Sequence, residues 1–143
     1  MLSLFKRKSN DAESLYAKVI AQARDPKLYS DFGVPDTPIG RFQMIALHAA
    51  PHMARYANDN AGEKSQALFD LIFRDIELSF REIGVGDLAV PKKMKKWMKD
   101  FNGIIQAHSD KGADHVNVTR RNLLDEGAKM PAPFKKYITG LFS

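Results

Sequence analysis

The feature that most constrains this chain is a helical repeat of apolar residues, interrupted at a sharp corner, FREIGVGDLAV at Phe80–Val90. Before the corner, apolar residues recur three and four positions apart over Phe69–Ile83, and the same spacing resumes over Met94–Ile105. That is the period of an α-helix with one apolar face, and almost no stretch alternates as a β-strand would. Because glycine and proline fall mostly between such stretches, we predict an all-α fold, a single compact bundle of about five to six helices.

The N-terminal end combines apolar and basic residues. We expect residues 1–9 to be a flexible basic terminus, followed by a single helical domain of residues 10–143. The alternative is that this segment binds weakly at a membrane interface, with its apolar side chains among the lipid headgroups. A first helix is expected from about Asn10 or Asp11 to Arg24, and residues 26–35 should form a loop or one helical turn.

The second helix has a clear start and a basic stripe. Thr37 fits its N-cap and Pro38 its first position, where the missing N–H costs nothing. Pro51 lies inside it and is expected to bend it or end its first half near Ala50. A stripe beside the apolar face is either a solvated flank or a contact surface for an anionic group; it comprises Arg41, His48, His52 and Arg55.

The third helix is the most regular segment and carries two apolar lines. It is expected from about Gly62 or Glu63 to Ile83, with a broad apolar face towards the core. Leu71 and Leu78 stand on the opposite side, beside Asp75 and Glu82. This second line is either covered within the domain or meets a partner. The broad face consists of Phe69, Ile72, Phe73, Ile76, Phe80 and Ile83.

The corner that follows has the residues of a helix-to-helix turn. Gly84 fits the position after a helix that takes a positive φ, and Gly86 permits a second change of direction. Asp87 could then accept bonds from free backbone N–H groups of the turn. With neither GxGxxG nor a GK[ST] ending, and no preceding strand, the glycines do not form a nucleotide site.

The fourth helix, about Pro91–His108, has an apolar face with Met and Trp and a basic face opposite. This pattern is typical of a solvated outer face, of an anionic membrane or RNA surface, or of an adaptable apolar groove. Weaker patterns at residues 115–130 and 133–142 predict two short helices. The basic face consists of Lys92, Lys93, Lys95, Lys96 and Lys99.

Composition narrows the function classes. The 143 residues include no cysteine, which removes disulfides, thiolate nucleophiles and cysteine-based metal sites. His48 and His52 have a metal-ligand spacing but lack an obvious third ligand, and no serine stands in a nucleophile context. We therefore expect no catalytic residue, metal, cofactor or small-molecule substrate. The net charge of +5 favours anionic partners, although DNA is not expected.

Two long runs carry a resemblance to a known family. They are LYAKVIAQARDPKLYSDFGVPDTPIGRFQMIALH and ALFDLIFRDIELSFREIGVGDLAVPKKMKK. In this order and spacing, over about residues 15–101, the chain resembles the ubiquinol-cytochrome c chaperone family, as a bacterial member. The matching positions are Asp36, Thr37, Gly40, Arg41, Phe42, Leu47, His48, Asp70, Asp75, Arg81, Glu82, Gly84, Gly86 and Asp87.

The resemblance implies assembly of the cytochrome bc1 complex without enzymatic activity. Family members bind newly made cytochrome b, and mitochondrial members work beside the ribosome. It implies that five polar residues line or brace the client-binding surface: Arg41, His48, Asp75, Arg81 and Glu82. To these the periodicity adds Leu71 and Leu78 as apolar contacts, and the lysines as a face for anionic lipid or ribosomal RNA.

The expected location is the cytoplasm, with peripheral association at the inner face of the cytoplasmic membrane, or the matrix side in a mitochondrial member. The competing interpretation is a cationic helical module that binds RNA or an anionic membrane surface as its main task, with no client. Salt separates the two, because phosphate binding weakens steeply with ionic strength and apolar capture does not.

Overall fold

The computed structural model describes residues 2–123 and 129–143, with side chains described from Asn10 onward. Within these residues all regular structure is helical, which confirms the all-α prediction. Six helices have nine or more residues, and a seventh, α2, is a single short turn. The helices are α1 Leu2–Ala23, α2 Pro26–Ser30, α3 Pro38–Asn58, α4 Gly62–Glu82, α5 Val90–Ser109, α6 His115–Leu123 and α7 Ala132–Leu141.

One predicted helix boundary was wrong, and one of two alternatives at a proline is excluded. Helix α1 begins at Leu2 instead of near Asn10, since no proline or glycine interrupts its first two-thirds. Helix α3 continues through Pro51, so of the two alternatives for this proline an end near Ala50 is excluded and a bend stays a prediction. Ala50 and Met53 on either side of this proline are buried, and Pro51 itself is partly buried. Part of the predicted helical stretch 115–130, residues 124–128, lies outside the described residues, and the flexibility of residues 1–9 stays a prediction.

The start of α3 and the end of α4 follow the sequence signals. Thr37 Oγ1 accepts a 3.0 Å bond from the Gly40 N–H, with Pro38 at the first helical position. Gly40 is required by space, since a Cβ there would lie 1.9 Å from the Pro35 carbonyl oxygen. Gly84 has a φ of +88° and ends α4, as predicted.

Helix α3 is the central helix, and both of its faces are buried. On one face it packs with the long helices α1, α4 and α5; on the other it meets α2, the following loop and α7. The long-helix layer is built on Val19, Phe42, Ala46, Ala49, Met53, Leu68, Ile72, Phe73, Ile76, Phe80, Val90, Met94, Phe101 and Ile104. The second layer is built on Ala23, Leu28, Phe32, Val34, Met44, Leu47, Met130, Phe134 and Ile138.

Candidate functional site

A groove with an apolar floor lies between α1, the end of α3 and the first half of α4. We call it the α1–α4 groove; its volume is about 830 Å³. Small side chains leave this space open, since Ala12, Ala61 and Ala67 all line it. The larger apolar side chains of the floor are Leu15, Tyr56, Leu68 and Leu71.

The rim of the groove carries more acidic than basic side chains. Helix α1 contributes Asp11 and Glu13, and α4 contributes Glu63 and Asp70. The cations on the rim are those of Lys64 and Arg74. The groove therefore combines an apolar floor with an excess of negative charge at its edge.

The turn between α3 and α4 creates the end of the groove. Asn60 has a φ of +54°, in the left-handed region that asparagine adopts more readily than other non-glycine residues. The Ala61 N–H returns a 2.8 Å bond to the Tyr56 carbonyl and closes the end of α3. The turn thus sets α4 off from the last part of α3 and leaves Tyr56 at the groove.

The second apolar line of α4 is not covered along its length. Leu71 is half-buried and lines the groove. Leu78, two helical turns further on, is 53% exposed. The domain therefore covers this line only in part at Leu71 and leaves it largely uncovered at Leu78.

Asp75 braces α1 against α4 close to the groove. Its carboxylate accepts a short hydrogen bond from the Tyr16 hydroxyl, and the Arg74 guanidinium lies 3.2 Å from it. Burial and the bond to Asp75 both raise the pKa of Tyr16, so the phenol stays protonated. Asp75 therefore supports the groove from within the α1–α4 contact.

Arg81 clamps the corner after α4. Its guanidinium donates to Asp87 Oδ1 at 2.6 Å and to Glu77 Oε1 at 3.1 Å. The prediction that Asp87 caps backbone N–H groups was wrong, because those of Ala89 and Val90 bond to the Gly86 carbonyl and leave the Asp87 carboxylate to Arg81. Glu82, which directly follows Arg81, is exposed.

Arg41 is remote from the groove. It lies in the first turns of α3 and pairs with Asp36 at 2.7 Å, with both side chains exposed. Tyr56 at the groove lies fifteen residues further along the helix, which corresponds to about 22 Å. Arg41 is therefore separated from the groove by most of the length of α3.

His48 is buried, so the prediction that it belongs to an exposed basic stripe was wrong. It is 1% exposed, with Nδ1 2.7 Å from the Met44 carbonyl oxygen and Nε2 2.6 Å from the Tyr137 hydroxyl. A carbonyl only accepts, so Nδ1 carries the proton and Nε2 accepts from Tyr137. Burial lowers the pKa of His48 and keeps it neutral. It joins α3 to α7 and has no free nitrogen for a metal.

Two further histidines, which sequence reasoning did not single out, meet at the ends of α5 and α6. His108 Nδ1 lies 3.0 Å from His115 Nδ1, and the His115 ring stacks on Phe142 with centroids 3.7 Å apart. Burial, followed by the charge of His115, lowers the pKa of His108 to about 4. Among the described residues no three His, Asp or Glu side chains are placed to share a metal ion.

The predicted basic face of α5 is exposed. Its five lysines, Lys92, Lys93, Lys95, Lys96 and Lys99, are all exposed, whereas Met94 and Phe101 of the same helix are buried. Lys96 pairs with Asp100 at 2.9 Å, and the Lys93 ammonium lies 6.0 Å from the Phe80 ring centroid. No helix in the described part of the chain is both long enough and apolar enough to cross a bilayer.

Known proteins match this architecture and its sequence. The model of the ubiquinol-cytochrome C chaperone family matches residues 30–125, more than half of the chain. The crystal structure of the Cbp3 homolog from Brucella abortus matches with a TM-score of 0.71 and 32% sequence identity, over 99% of this chain and 88% of that one. No curated protein matches significantly. The chain belongs to the ubiquinol-cytochrome c chaperone family.

Proposed function

We propose that this protein is a non-enzymatic chaperone for assembly of ubiquinol-cytochrome c reductase, the bc1 complex, and that it binds newly made cytochrome b. The observation that carries the binding proposal is the α1–α4 groove, whose apolar floor continues outward through Leu71 to the exposed Leu78. A newly made membrane protein exposes apolar helices that need such a surface until they are assembled. Family membership supports the chaperone role.

The size of the groove limits what it holds. A volume of about 830 Å³ is that of a pocket for a small ligand, whereas a transmembrane helix has about 20 residues and is about 30 Å long. The groove therefore accommodates the side chains of one or two helical turns. We infer that it grips one end of a client segment while the rest stays in the bilayer.

The charge of the rim indicates which end of the client helix the groove would bind. Asp11, Glu13 and Asp70 would attract cations beside the apolar segment. Lys and Arg are concentrated at the cytoplasmic ends of transmembrane helices. The proposed ligand is thus an apolar helix end flanked by basic residues, reached from the cytoplasmic face of the membrane, or the matrix face in a mitochondrial member.

The remaining predicted residues have supporting roles in this proposal. Asp75 holds the groove wall through Tyr16, Arg81 fixes the corner, and His48 ties α3 to α7. Glu82 is exposed beside Leu78 in the helix sequence and is the polar residue best placed for client contact there. Arg41 is too far from the groove to share a single helix end with it.

Genetic replacement tests the function. The gene is deleted and complemented with wild type, Leu71→Asp or Ala67→Trp, and membranes are assayed for b-type haem and ubiquinol-cytochrome c reductase activity. Leu71→Asp should lower cytochrome b recovered with the tagged chaperone about tenfold or more, because a leucine contact contributes about 1.5–3 kcal/mol. Ala67→Trp should do the same by filling the groove.

Matched controls separate the groove from general damage. Ile39→Asp places the same charge at an exposed apolar position outside the groove, and Ala17→Trp adds the same bulk on the exposed side of α1. Both should complement fully. Normal haem and reductase levels in the deletion strain would refute the assembly role, and full client recovery with folded Leu71→Asp and Ala67→Trp would refute the groove as the site.

A further inference from the structure

The residues just before α5 continue its helical course. The Gly86 carbonyl accepts bonds from the N–H groups of both Ala89, at 2.8 Å, and Val90, at 3.1 Å. Ala89 itself has the φ and ψ of a right-handed helical residue, −88° and −23°. Leu88 therefore lies one helical turn before Lys92, in phase with α5.

This phase places Leu88 at the head of a lysine stripe. Leu88, Lys92, Lys95 and Lys99 follow one another at offsets of four, three and four residues, which is the spacing of one helical face. The opposite face is anchored by the buried Met94 and Phe101, so the stripe points outward. Leu88 is 99% exposed, the highest exposure among the large apolar side chains of the described residues.

A second aliphatic side chain lies on the other side of the same corner. Ile83 closes α4 and is 66% exposed, although its position in the helix repeat matches the buried face. Gly84, whose positive φ turns the chain, follows it directly. The corner thus exposes Ile83 at its beginning and Leu88 at its end, and Leu88 lies one turn before the first lysine of the stripe.

The charge of the stripe is open to a partner. No carboxylate in the described part of the chain lies within ion-pair distance of Lys92, Lys95 or Lys99, whereas Lys96 is paired with Asp100. Asp87, the carboxylate next to Leu88, is held by Arg81 at 2.6 Å. The surface therefore carries these three lysines along α5 and two exposed aliphatic side chains at the corner, where the neighbouring carboxylates are Glu82 and the Arg81-paired Asp87.

We propose that this surface, Ile83, Leu88, Lys92, Lys95 and Lys99, docks the protein onto an anionic lipid bilayer. The lysines would lie over the phosphate headgroups while the two aliphatic side chains enter the boundary with the acyl chains. This goes beyond the proposed function, because it concerns where the chaperone works and involves neither the groove nor the client. It places α5 on the membrane, with the client held on other helices of the bundle.

The aliphatic tip favours lipid over RNA as the anionic partner. Single-stranded RNA is held by phosphate contacts together with stacking of bases on aromatic rings. Both aromatic residues of α5 face the core: Phe101 is buried, and the Trp97 ring lies 4.5 Å from Phe42 and 4.8 Å from Phe80 between centroids. An exposed leucine contributes nothing to binding phosphate, whereas it gains free energy in a bilayer.

Vesicle sedimentation with the full chain tests the proposal. One set of vesicles is phosphatidylcholine alone, and the other contains about one part phosphatidylglycerol to three parts phosphatidylcholine, to give an anionic surface. The wild type should sediment with the anionic vesicles only. The variants are Leu88→Ser and the triple variant Lys92→Glu, Lys95→Glu, Lys99→Glu; circular dichroism and thermal melting verify that each is folded.

The two variants should differ in size of effect and in salt dependence. The triple variant should lower the partition coefficient about a hundredfold or more, from about one kcal/mol for each lysine near the surface. Leu88→Ser should lower it about tenfold, and its residual binding should be more salt-sensitive, because less of it is apolar. The matched controls are Ile39→Ser and the double variant Lys135→Glu, Lys136→Glu, which should stay within about twofold of wild type.

Several outcomes would overturn the docking surface. One is that Leu88→Ser and the milder Leu88→Ala both partition like the wild type. Another is that the control variants lose as much vesicle binding as the test variants. A third is that the protein binds a single-stranded RNA through the three lysines but not Leu88, and that vesicles do not displace this RNA. Client recovery by the groove variants is measured separately, so failure here leaves the proposed function standing, and the reverse also holds.

Discussion

The two layers that pack on opposite faces of α3 are stabilised in different ways. The long-helix layer is a network of aromatic and aliphatic side chains from four helices of about twenty residues. The second layer contains short helices and uses buried polar contacts, His48 with Tyr137 among them. Both proposed surfaces, the α1–α4 groove and the lysine stripe, are built on the long-helix layer. The contrast is one of packing: long helices with aromatic contacts build the layer that carries both proposed surfaces, and short helices with a buried histidine build the other.

Removing the central aromatic side chain of the long-helix layer should have the largest effect on stability. Phe101 is fully buried, with the rings of Phe73 and Phe69 at 5.5 Å and 5.7 Å between centroids. Phe101→Ala should lower the free energy of unfolding by an amount near the upper end of about 3–5 kcal/mol, since long helices on all sides limit the collapse of the cavity. Urea denaturation followed by circular dichroism measures it.

The second layer supplies the matched comparison. Phe134 is also buried and stacks on Phe32 at 5.1 Å, but it is held by short helices that can move inward. Phe134→Ala should therefore cost less, near 3 kcal/mol. A larger loss for Phe134→Ala than for Phe101→Ala would reverse the ranking of the two layers.

The next largest effect should be a fall in the free energy of unfolding at acidic pH, caused by His108. The pKa of His108 is about 4 in the folded protein and about 6.5 when unfolded, so the unfolded chain binds more protons between these values. The free energy of unfolding is therefore highest above pH 6.5 and falls towards pH 4, by about 2 kcal/mol from this group. Urea titrations across this range measure the slope.

A variant without the titrating ring is the control. His108→Phe keeps an aromatic side chain against His115 and Phe142, whose ring centroids lie 5.2 Å and 4.9 Å from that of His108. Its pH slope should be shallower than that of the wild type, although the lowered pKa of His48 contributes in the same direction. Equal slopes in the two proteins would show that His108 does not bind protons on unfolding.

Loss of the hydrogen bond between α3 and α7 should have a smaller effect. Tyr137→Phe leaves the buried Nε2 of His48 without a donor, and we expect a cost of about 1–2 kcal/mol. Tyr29→Phe removes a 2.7 Å bond to the Ala23 carbonyl in a more accessible place, where water can substitute. Equal decreases in melting temperature for the two variants would show that the buried bond to His48 contributes no more to stability than the accessible bond of Tyr29.

Sequence reasoning located the helices well because their ends carry local signals. Thr37 and Pro38 start α3, and Gly84 with its positive φ ends α4. It missed the burial of His48 because this one member of the stripe is covered by α7, where its partner Tyr137 lies eighty-nine residues further along the chain. Periodicity within one helix identifies a polar stripe but not what later packs on it.

The candidate site was predictable only in part. The line Leu71 and Leu78 follows from the α4 repeat, but the groove also needs α1 and the end of α3, which only tertiary packing brings together. The four-residue step from Leu88 to Lys92 is visible in the sequence. Its meaning is not, because the helical phase of Leu88 depends on the Gly86 carbonyl accepting two bonds.

The smallest expected change distinguishes a bracing residue from a contact residue within the long-helix layer. Asp75→Asn keeps an acceptor for the Tyr16 hydroxyl but removes the charge, so we expect a loss of about 0.5–1 kcal/mol in the free energy of unfolding and unchanged client recovery. Leu78→Ser should do the opposite, with stability within about 0.5 kcal/mol and lower recovery, because its side chain is half exposed. If Asp75→Asn instead abolished client recovery at unchanged stability, Asp75 would contact the client, and the apolar line of α4 would lose its place as the main contact.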